Sequence, residues 1–205
     1  VSTYIHPTAI VEDDVAIGDQ TSIWDHAHLR GPSRIGASCI IGGKTYVARD
    51  VSIGDLVKVN SFAYVCSGVT IERGVMIAAG VTFTNDRFPR SADPDLSRLR
   101  PSEPDENTRP TLVRRGASVG ARAVVGSDLT IGEFAMIGMG SVVTHSVPDH
   151  HLVVGNPARS IGVVCRCGEP VLRFTDAESF SGRVTCRVCD RSYRLTDGAL
   201  ETVDG

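Results

Sequence analysis

Reading every sixth residue from Ile5 gives Val11, Ile17, Ile23, Leu29, Ile35, Ile41, Val47, Ile53, Val59, Val65, Ile71, Ile77 and Phe83, an unbroken row of fourteen apolar residues. At 41% apolar content such a row arises by chance about four times in a million, so the period belongs to the fold. Four residues after each of these comes a small or β-branched one: Ala9, Val15, Thr21, Ala27, Ser33, Cys39, Thr45 and onward to Val81. Glycine often follows the aliphatic directly, as at Gly18, Gly36, Gly42 and Gly54, and reads as the residue of a tight turn. A period of six does not match a helix, and β-branched inward positions suit a pleated surface. Each hexad is therefore a short strand plus a turn. One unit cannot bury its apolar side alone, but three make a triangular coil, and stacked coils enclose a narrow core. The register resumes at Val113, Val119, Val125, Ile131, Ile137 and Val143. About twenty hexads amount to nearly seven coils, roughly 30 Å tall at ~4.8 Å per rung.

Composition narrows the function classes. Aromatic residues make up only 5% of the chain, so Val, Ile, Leu and small side chains must fill the core. The formal charge is −3, from 21 Lys+Arg against 24 Asp+Glu, with no block of either sign; no nucleic-acid partner is expected. No apolar run approaches the ~20 residues that span a bilayer, and the N-terminus lacks a basic segment followed by an apolar one. No membrane partner and a cytoplasmic location are expected.

On the repeats, which run from residue 5 to about residue 162, the chain resembles the hexapeptide-repeat acyltransferases. The resemblance implies a left-handed coil, and the fold class expected is all-β: a left-handed parallel β-helix of hexapeptide repeats with, from the register break, a long loop insertion and, from the cysteine spacing, a small C-terminal zinc-ribbon module. The β-helix domain is expected over 1–163, its loop excursion over 85–112 and the zinc ribbon over 164–205. A homotrimer of parallel prisms, with sites between neighbouring subunits, is also implied. The segment VVGNPARSIG, Val153 to Gly162, looks like the closing strand of these enzymes.

Between Phe83 and Val113 the register breaks over thirty residues, room for five hexads, at Pro89, Pro94, Pro101, Pro104 and Pro110. Long loops in compact repeat proteins usually carry function; the plain alternative is a solvated insertion. The opening string FTNDRFPRS, Phe83 to Ser91, resembles the signature of N-acetyltransferases acting on nucleotide-linked amino sugars. These include enzymes for UDP-linked 3-amino-glucuronate and dTDP-linked 3-amino-3,6-dideoxyhexose. The stretch Val51 to Asp86 fits the same subgroup. A neutral amine is already a nucleophile, so such a site must orient it and stabilise the developing oxyanion. Asn85 and Asp86 are the catalytic candidates: the amide can accept a hydrogen bond from the amine, and the carboxylate can accept a proton or shape the turn. Both residue types also close turns without further function.

Substrate-binding candidates are His26, His28, Lys58, Asn60, Arg87 and Arg90; the cations would meet a diphosphate, Arg as a fork and Lys as a point charge. Asn60 is placed one coil below the signature. Some relatives use a loop histidine as general base, but this loop has none, and the leaving CoA thiolate can take the proton instead. Acetyl-CoA is implied as cosubstrate, with Gly120, Arg122, Gly138, Met139, Pro157 and Arg159 as candidate contacts. Turn geometry alone also accounts for the glycines, and relatives often carry Asn where this chain has Arg122.

From Val164 the period ends. Cys165 and Cys167, then Cys186 and Cys189 eighteen residues on, offer four thiolates in two close pairs, the set that tetrahedral Zn²⁺ takes in a closed structural site. The pattern looks like a zinc ribbon, with Gly168 and Asp190 turning the knuckles and PVLRF and SYRLT as strands. Free thiols or two disulfides are the alternatives. Cys39 falls inward by register; Cys66 has no evident partner.

The preferred reading is acetyl-CoA-dependent N-acetylation of a UDP- or dTDP-linked amino sugar, the 3-amino position favoured. One rival is O-acyl transfer, which needs a general base that the sequence does not reveal. Another is a γ-type carbonic anhydrase with metal on histidines such as His145 and His150. The third is a noncatalytic trimeric scaffold.

Overall fold

Each coil pairs in register with the coil eighteen residues later: Ile5 with Ile23, Ile23 with Ile41, Ile17 with Ile35, and Ile35 with Ile53. The computed structural model describes residues 2–101, 103–105, 107–174, 181–196 and 199–203. It is all-sheet among these residues, and the expected β-helix is present. Face one stacks Tyr4–Ile5, Ser22–Ile23, Ile40–Ile41, Lys58–Val59, Met76–Ile77, Ser118–Val119 and Met136–Ile137, and ends on His151–Gly155. Face two runs from Ile10–Val11 through His28–Leu29, Tyr46–Val47, Tyr64–Val65 and Thr82–Phe83 to Val142–Val143. Face three runs from Val15–Ile17 to Thr130–Ile131. All neighbours within these stacks are parallel. The sixth-residue row fills the interior, with Ile23, Leu29, Ile41, Val47, Val59 and Ile77 fully buried, and Cys39 is inward as its register requires.

The glycines that follow the aliphatics are not turn residues by backbone angle. A Cβ on Gly42 would lie 2.5 Å from the amide nitrogen of Ser61, and one on Gly18 would lie 2.6 Å from that of Ala37. Close approach of the next coil excludes a side chain there. The left-handed turn residue comes two positions later, at Gln20, Ser38, Lys44, Asp50, Leu56, Phe62, Gly68, Gly74 and Gly80. A non-glycine residue there costs about 1 kcal/mol or more, which the stacking of identical corners offsets.

At the register break, Val69 pairs with Thr111 and Thr82 with Val124, an offset of 42 residues where 18 is regular. Twenty-four residues are therefore looped out, and Val113 lies on the face directly after Phe83. The stem is closed by a bridge between Asp86 and Thr108 and by Arg109 donating its N–H to the Asn85 carbonyl at 2.8 Å.

The closing segment is a hairpin, where a single strand was expected. His151–Gly155 runs parallel to the last coil, the chain reverses through Asn156 and Pro157, and Ala158–Val164 returns antiparallel. Pro170–Arg173 adds to that strand, so face one continues into the C-terminal segment. Beyond it, Gly182–Thr185, Ser192–Thr196 and Ala199–Thr202 form a separate antiparallel sheet. Val163, Cys165, Cys186, Tyr193, Leu195 and Leu200 make a second, smaller core.

Candidate functional site

The loop excursion leaves the prism at the corner between faces two and three and encloses a cavity of about 440 Å³ against it. Asn85, Asp86, Phe88 and Arg90 line one side; Arg30, Tyr46, Arg49, Tyr64 and Ser67 line the prism side. Asn85 sits one coil above Ser67, and its Nδ2 donates to the Ser67 carbonyl at 3.3 Å. A carbonyl only accepts, so this bond fixes the amide orientation, and among the described residues Oδ1 is left as an acceptor without a donor. The row on face two is aromatic: the His28 ring meets Tyr46 edge-on at 5.3 Å, and Tyr46 stacks on Tyr64 at 5.4 Å with planes 6° apart. Burial raises the Tyr64 pKa, and the neighbouring Asp86 charge adds to it. Cys66, fully buried under the corner, is pushed up to about 12 by desolvation and stays a thiol.

Below Tyr46, Arg30 donates from Nε to Glu12 Oε1 at 2.9 Å and from an Nη to the Tyr46 hydroxyl at 3.4 Å. The other Glu12 oxygen accepts the Gly31 N–H at 3.1 Å. Arg30, then the Gly31 amide, hold the Glu12 pKa below the usual carboxylate range, and His28 Nε2 lies 3.4 Å from the same carboxylate.

The other candidates do not gather here within one chain. Lys58 is exposed on face one, and His26, Asn60, Gly120, Arg122, Gly138 and Met139 lie at the corner between faces one and two. Asn60 therefore belongs to a different corner from Asn85, because the two are not separated by a whole number of coils. Arg87 projects to solvent over the Phe88 ring. Gly120 and Gly138 are explained by stacking: a Cβ would meet the Met139 nitrogen at 2.5 Å and Val154 Cγ1 at 2.6 Å. Arg122 occupies the left-handed turn position, φ 57°, which is where Asn is well tolerated. Pro157 forms the hairpin turn, and Arg159 lines an apolar hollow of about 360 Å³ with Val143, Val147 and Val153. Arg30, Tyr46, Arg49 and Tyr64 went unnoticed in the sequence; counting back in eighteens from Asn85, Thr84 and Thr82 reaches all four.

The four C-terminal cysteines converge, with all Sγ atoms within 4.8 Å of one another. Cys165 to Cys189 is 3.4 Å and Cys167 to Cys186 is 3.5 Å, far beyond a disulfide's ~2.05 Å. Zn–S bonds of ~2.3 Å in a tetrahedron place sulfurs ~3.8 Å apart, so the quartet fits zinc. Gly168 and Asp190 turn the knuckles with φ of 93° and 58°. The buried Tyr193 hydroxyl lies 3.0 Å from Cys165 Sγ and accepts the Arg166 N–H at 3.1 Å. The two histidines of the metal-hydratase alternative do not converge: His145 Nδ1 is 3.0 Å from the Thr144 hydroxyl, while His150 is buried with Nδ1 2.9 Å from the Val164 carbonyl oxygen.

Residues 50–85 match the family described as bacterial transferase hexapeptide (six repeats). Over these residues the chain resembles that family, in agreement with the stacked six-residue rungs. Over 90 residues it is 43% identical to the dTDP-3-amino-3,6-dideoxy-alpha-D-galactopyranose 3-N-acetyltransferase of Aneurinibacillus thermoaerophilus, covering 44% of this chain and 43% of that protein. Over 183 residues it is 31% identical to the bifunctional protein GlmU of Rubrobacter xylanophilus, covering 74% and 39%. The chain thus spans less than half the length of these curated relatives. The acetyltransferase domain of PglB from Neisseria gonorrhoeae, solved with acetyl coenzyme A, matches with a TM-score of 0.52 at 21% identity, over 77% of this chain and 57% of that one; the overlap shows a shared fold. Among the described residues, no helix is long and apolar enough to cross a membrane.

Proposed function

We propose that the protein transfers an acetyl group from acetyl-CoA to the amine of a nucleotide diphosphate amino sugar, with the 3-amino position favoured. The observation that carries the reading is Asn85: its amide N–H is tied to the Ser67 carbonyl, and its oxygen is left as an acceptor beside the cavity. The 43% relative bears an amino-sugar 3-N-acetyltransferase name, and the FTNDRFPRS string carries the same resemblance. An acceptor oxygen on a fixed amide takes one N–H of the incoming amine and aims the nitrogen lone pair away from itself. Bound acetyl-CoA supplies the thioester carbonyl that the lone pair attacks. Asp86, on the stem next to Asn85, completes the acceptor side of the cavity, and the arginines supply counter-charge to a diphosphate.

We place the working unit as a cytoplasmic homotrimer. Exposed Ile40 on face one, Tyr64 on face two, and Trp24 and Phe62 at the corner between them form apolar surface, and the cysteines carry no disulfide. In such an assembly His26, Lys58, Asn60 and, of the candidate acetyl-CoA contacts, Gly120, Arg122, Gly138 and Met139, which lie on face one or its corner with face two, meet a neighbour's cavity. The β-helix and metal module divide at about residue 164 in this reading.

The test is thiol release from acetyl-CoA against a panel of UDP- and dTDP-linked amino sugars. Release with a 3-amino sugar is expected, and Asn85→Ala is expected to lower kcat about hundredfold with unchanged melting. Absence of release across the whole panel overturns the reading; wild-type turnover in Asn85→Ala overturns the residue's role.

A further inference from the structure

Four arginines line the cavity beside Asn85, and they differ in how they are held. Arg90 is exposed and donates to the carbonyl of its own neighbour, Pro89, at 2.8 Å. Neither Arg49 nor Arg100 forms an ion pair among the described residues. Arg30 is half-buried on a regular strand corner, and two of its N–H groups are fixed, one by Glu12 and one by the Tyr46 hydroxyl. Glu12 is itself fixed through both oxygens, one to Arg30 and one to the Gly31 amide. Tyr46 stacks on Tyr64 and takes His28 edge-on from its other side. The guanidinium is thus held by a carboxylate, a phenol and an aromatic row, and its remaining donors are available at the cavity.

We infer that Arg30 is the residue that binds the diphosphate of the sugar nucleotide, with Glu12 and Tyr46 as positioning residues that hold its fork toward the cavity. The inference rests on the function proposed above and names the part of the site that takes the anion. A fork whose rotamers are already fixed loses little entropy on binding an oxyanion, whereas a free surface arginine or lysine must be ordered first. The spacing agrees. Arg30 lies three rungs below Thr84, about 14 Å along the stack, and both Arg30 and Asn85 line the one cavity. A hexose ring then fits between the fork and the Asn85 amide, with its amine at one end and its diphosphate at the other. Lys58 on face one and Arg87 in solvent do not share this cavity.

The experiment is calorimetric binding of dTDP, UDP and inorganic pyrophosphate to full-length protein, alongside steady-state kinetics with the best amino sugar. Arg30→Ala is expected to weaken nucleoside diphosphate binding ten- to hundredfold, and Arg30→Lys, which keeps the charge and stem, to weaken it several-fold. Glu12→Gln should raise KM several-fold with kcat retained, a split that loss of folding does not produce. Arg183→Ala, exposed on a strand of the C-terminal module, should leave binding within about twofold. Should Arg30→Ala not fold, Arg30→Lys and Glu12→Gln carry the test. Unchanged dTDP and UDP affinity in the Arg30 variants overturns the inference, as does a wild-type protein that binds no nucleoside diphosphate. Thiol release by the wild type is scored separately, so an active enzyme with indifferent Arg30 variants sinks only this assignment.

Discussion

The prism and the C-terminal module bury their interiors by different means. In the prism, every rung supplies the same inward aliphatic and every corner the same turn, so each coil repeats the contacts of the one below. Among the described residues the module's core is a small cluster of Val163, Tyr193, Leu195 and Leu200 with Cys165 and Cys186, too little apolar core to hold short strands alone. A repeated small contact replaces bulk in the first region, and in the second four converging thiols offer a site that fits zinc. Their junction uses side chains from both. His150 stacks on Phe134 of the last coils at 5.4 Å and meets Tyr193 of the module edge-on at 5.6 Å, and Arg166 lies 5.1 Å over the Phe134 ring.

The largest effect expected is on metal removal. One zinc per chain should be found by elemental analysis, and Cys186→Ser or chelation should abolish it, removing on the order of 10 kcal/mol of coordination energy. Amide exchange should then accelerate across Gly182–Thr185 and Ser192–Thr196 while the stacked coils stay protected. A module that keeps its protection without metal would erase the contrast. Next comes the prism's core: Ile77→Ala, at a fully buried position, should cost about 2–5 kcal/mol in denaturant unfolding and leave zinc content unchanged.

A smaller effect separates close approach from turn geometry. Gly42→Ala places a methyl against the Ser61 backbone and should cost about 1–3 kcal/mol, whereas Gly140→Ala meets nothing within 4 Å but keeps φ at 68° and should cost about 1 kcal/mol. Equal losses would show that the corner is limited by dihedral angle alone.

The smallest effect is pH dependence at the junction. Burial lowers the His150 pKa from 6.5, Arg166 adds to the shift, and the Val164 carbonyl, Asp149 and Glu133 oppose it. The unfolded chain therefore takes up the proton first, so this stability is complete above about pH 6.5 and is lost as pH falls toward the folded-state value. The melting temperature should drop more between about pH 7.5 and about pH 5.5 in the wild type than in His150→Gln, and parallel slopes would remove His150 from the account.

Legibility followed the same division. The aliphatic row from Ile5 to Phe83 exposed the rungs because one residue class repeats at one period. The cysteine pairs exposed the thiol quartet because four thiols have few other uses at that spacing. Val113 was harder: the looped segment keeps the hexad phase, so its position read as five hexads away although it is one face away. Arg30 and Tyr46 were not visible, because a lone arginine or tyrosine on an outward strand position looks like any solvated residue until the coils are stacked.

Sequence alone determined the β-helix and the thiol quartet, since both follow from residue type at fixed separation along one chain. Tertiary structure decided which corner the loop leaves, that Asn60 and Asn85 lie apart, and that Glu12, Arg30, Tyr46 and Tyr64 meet at one cavity. Such neighbours are separated by whole coils, and only stacking turns a distance of many residues along the chain into contact.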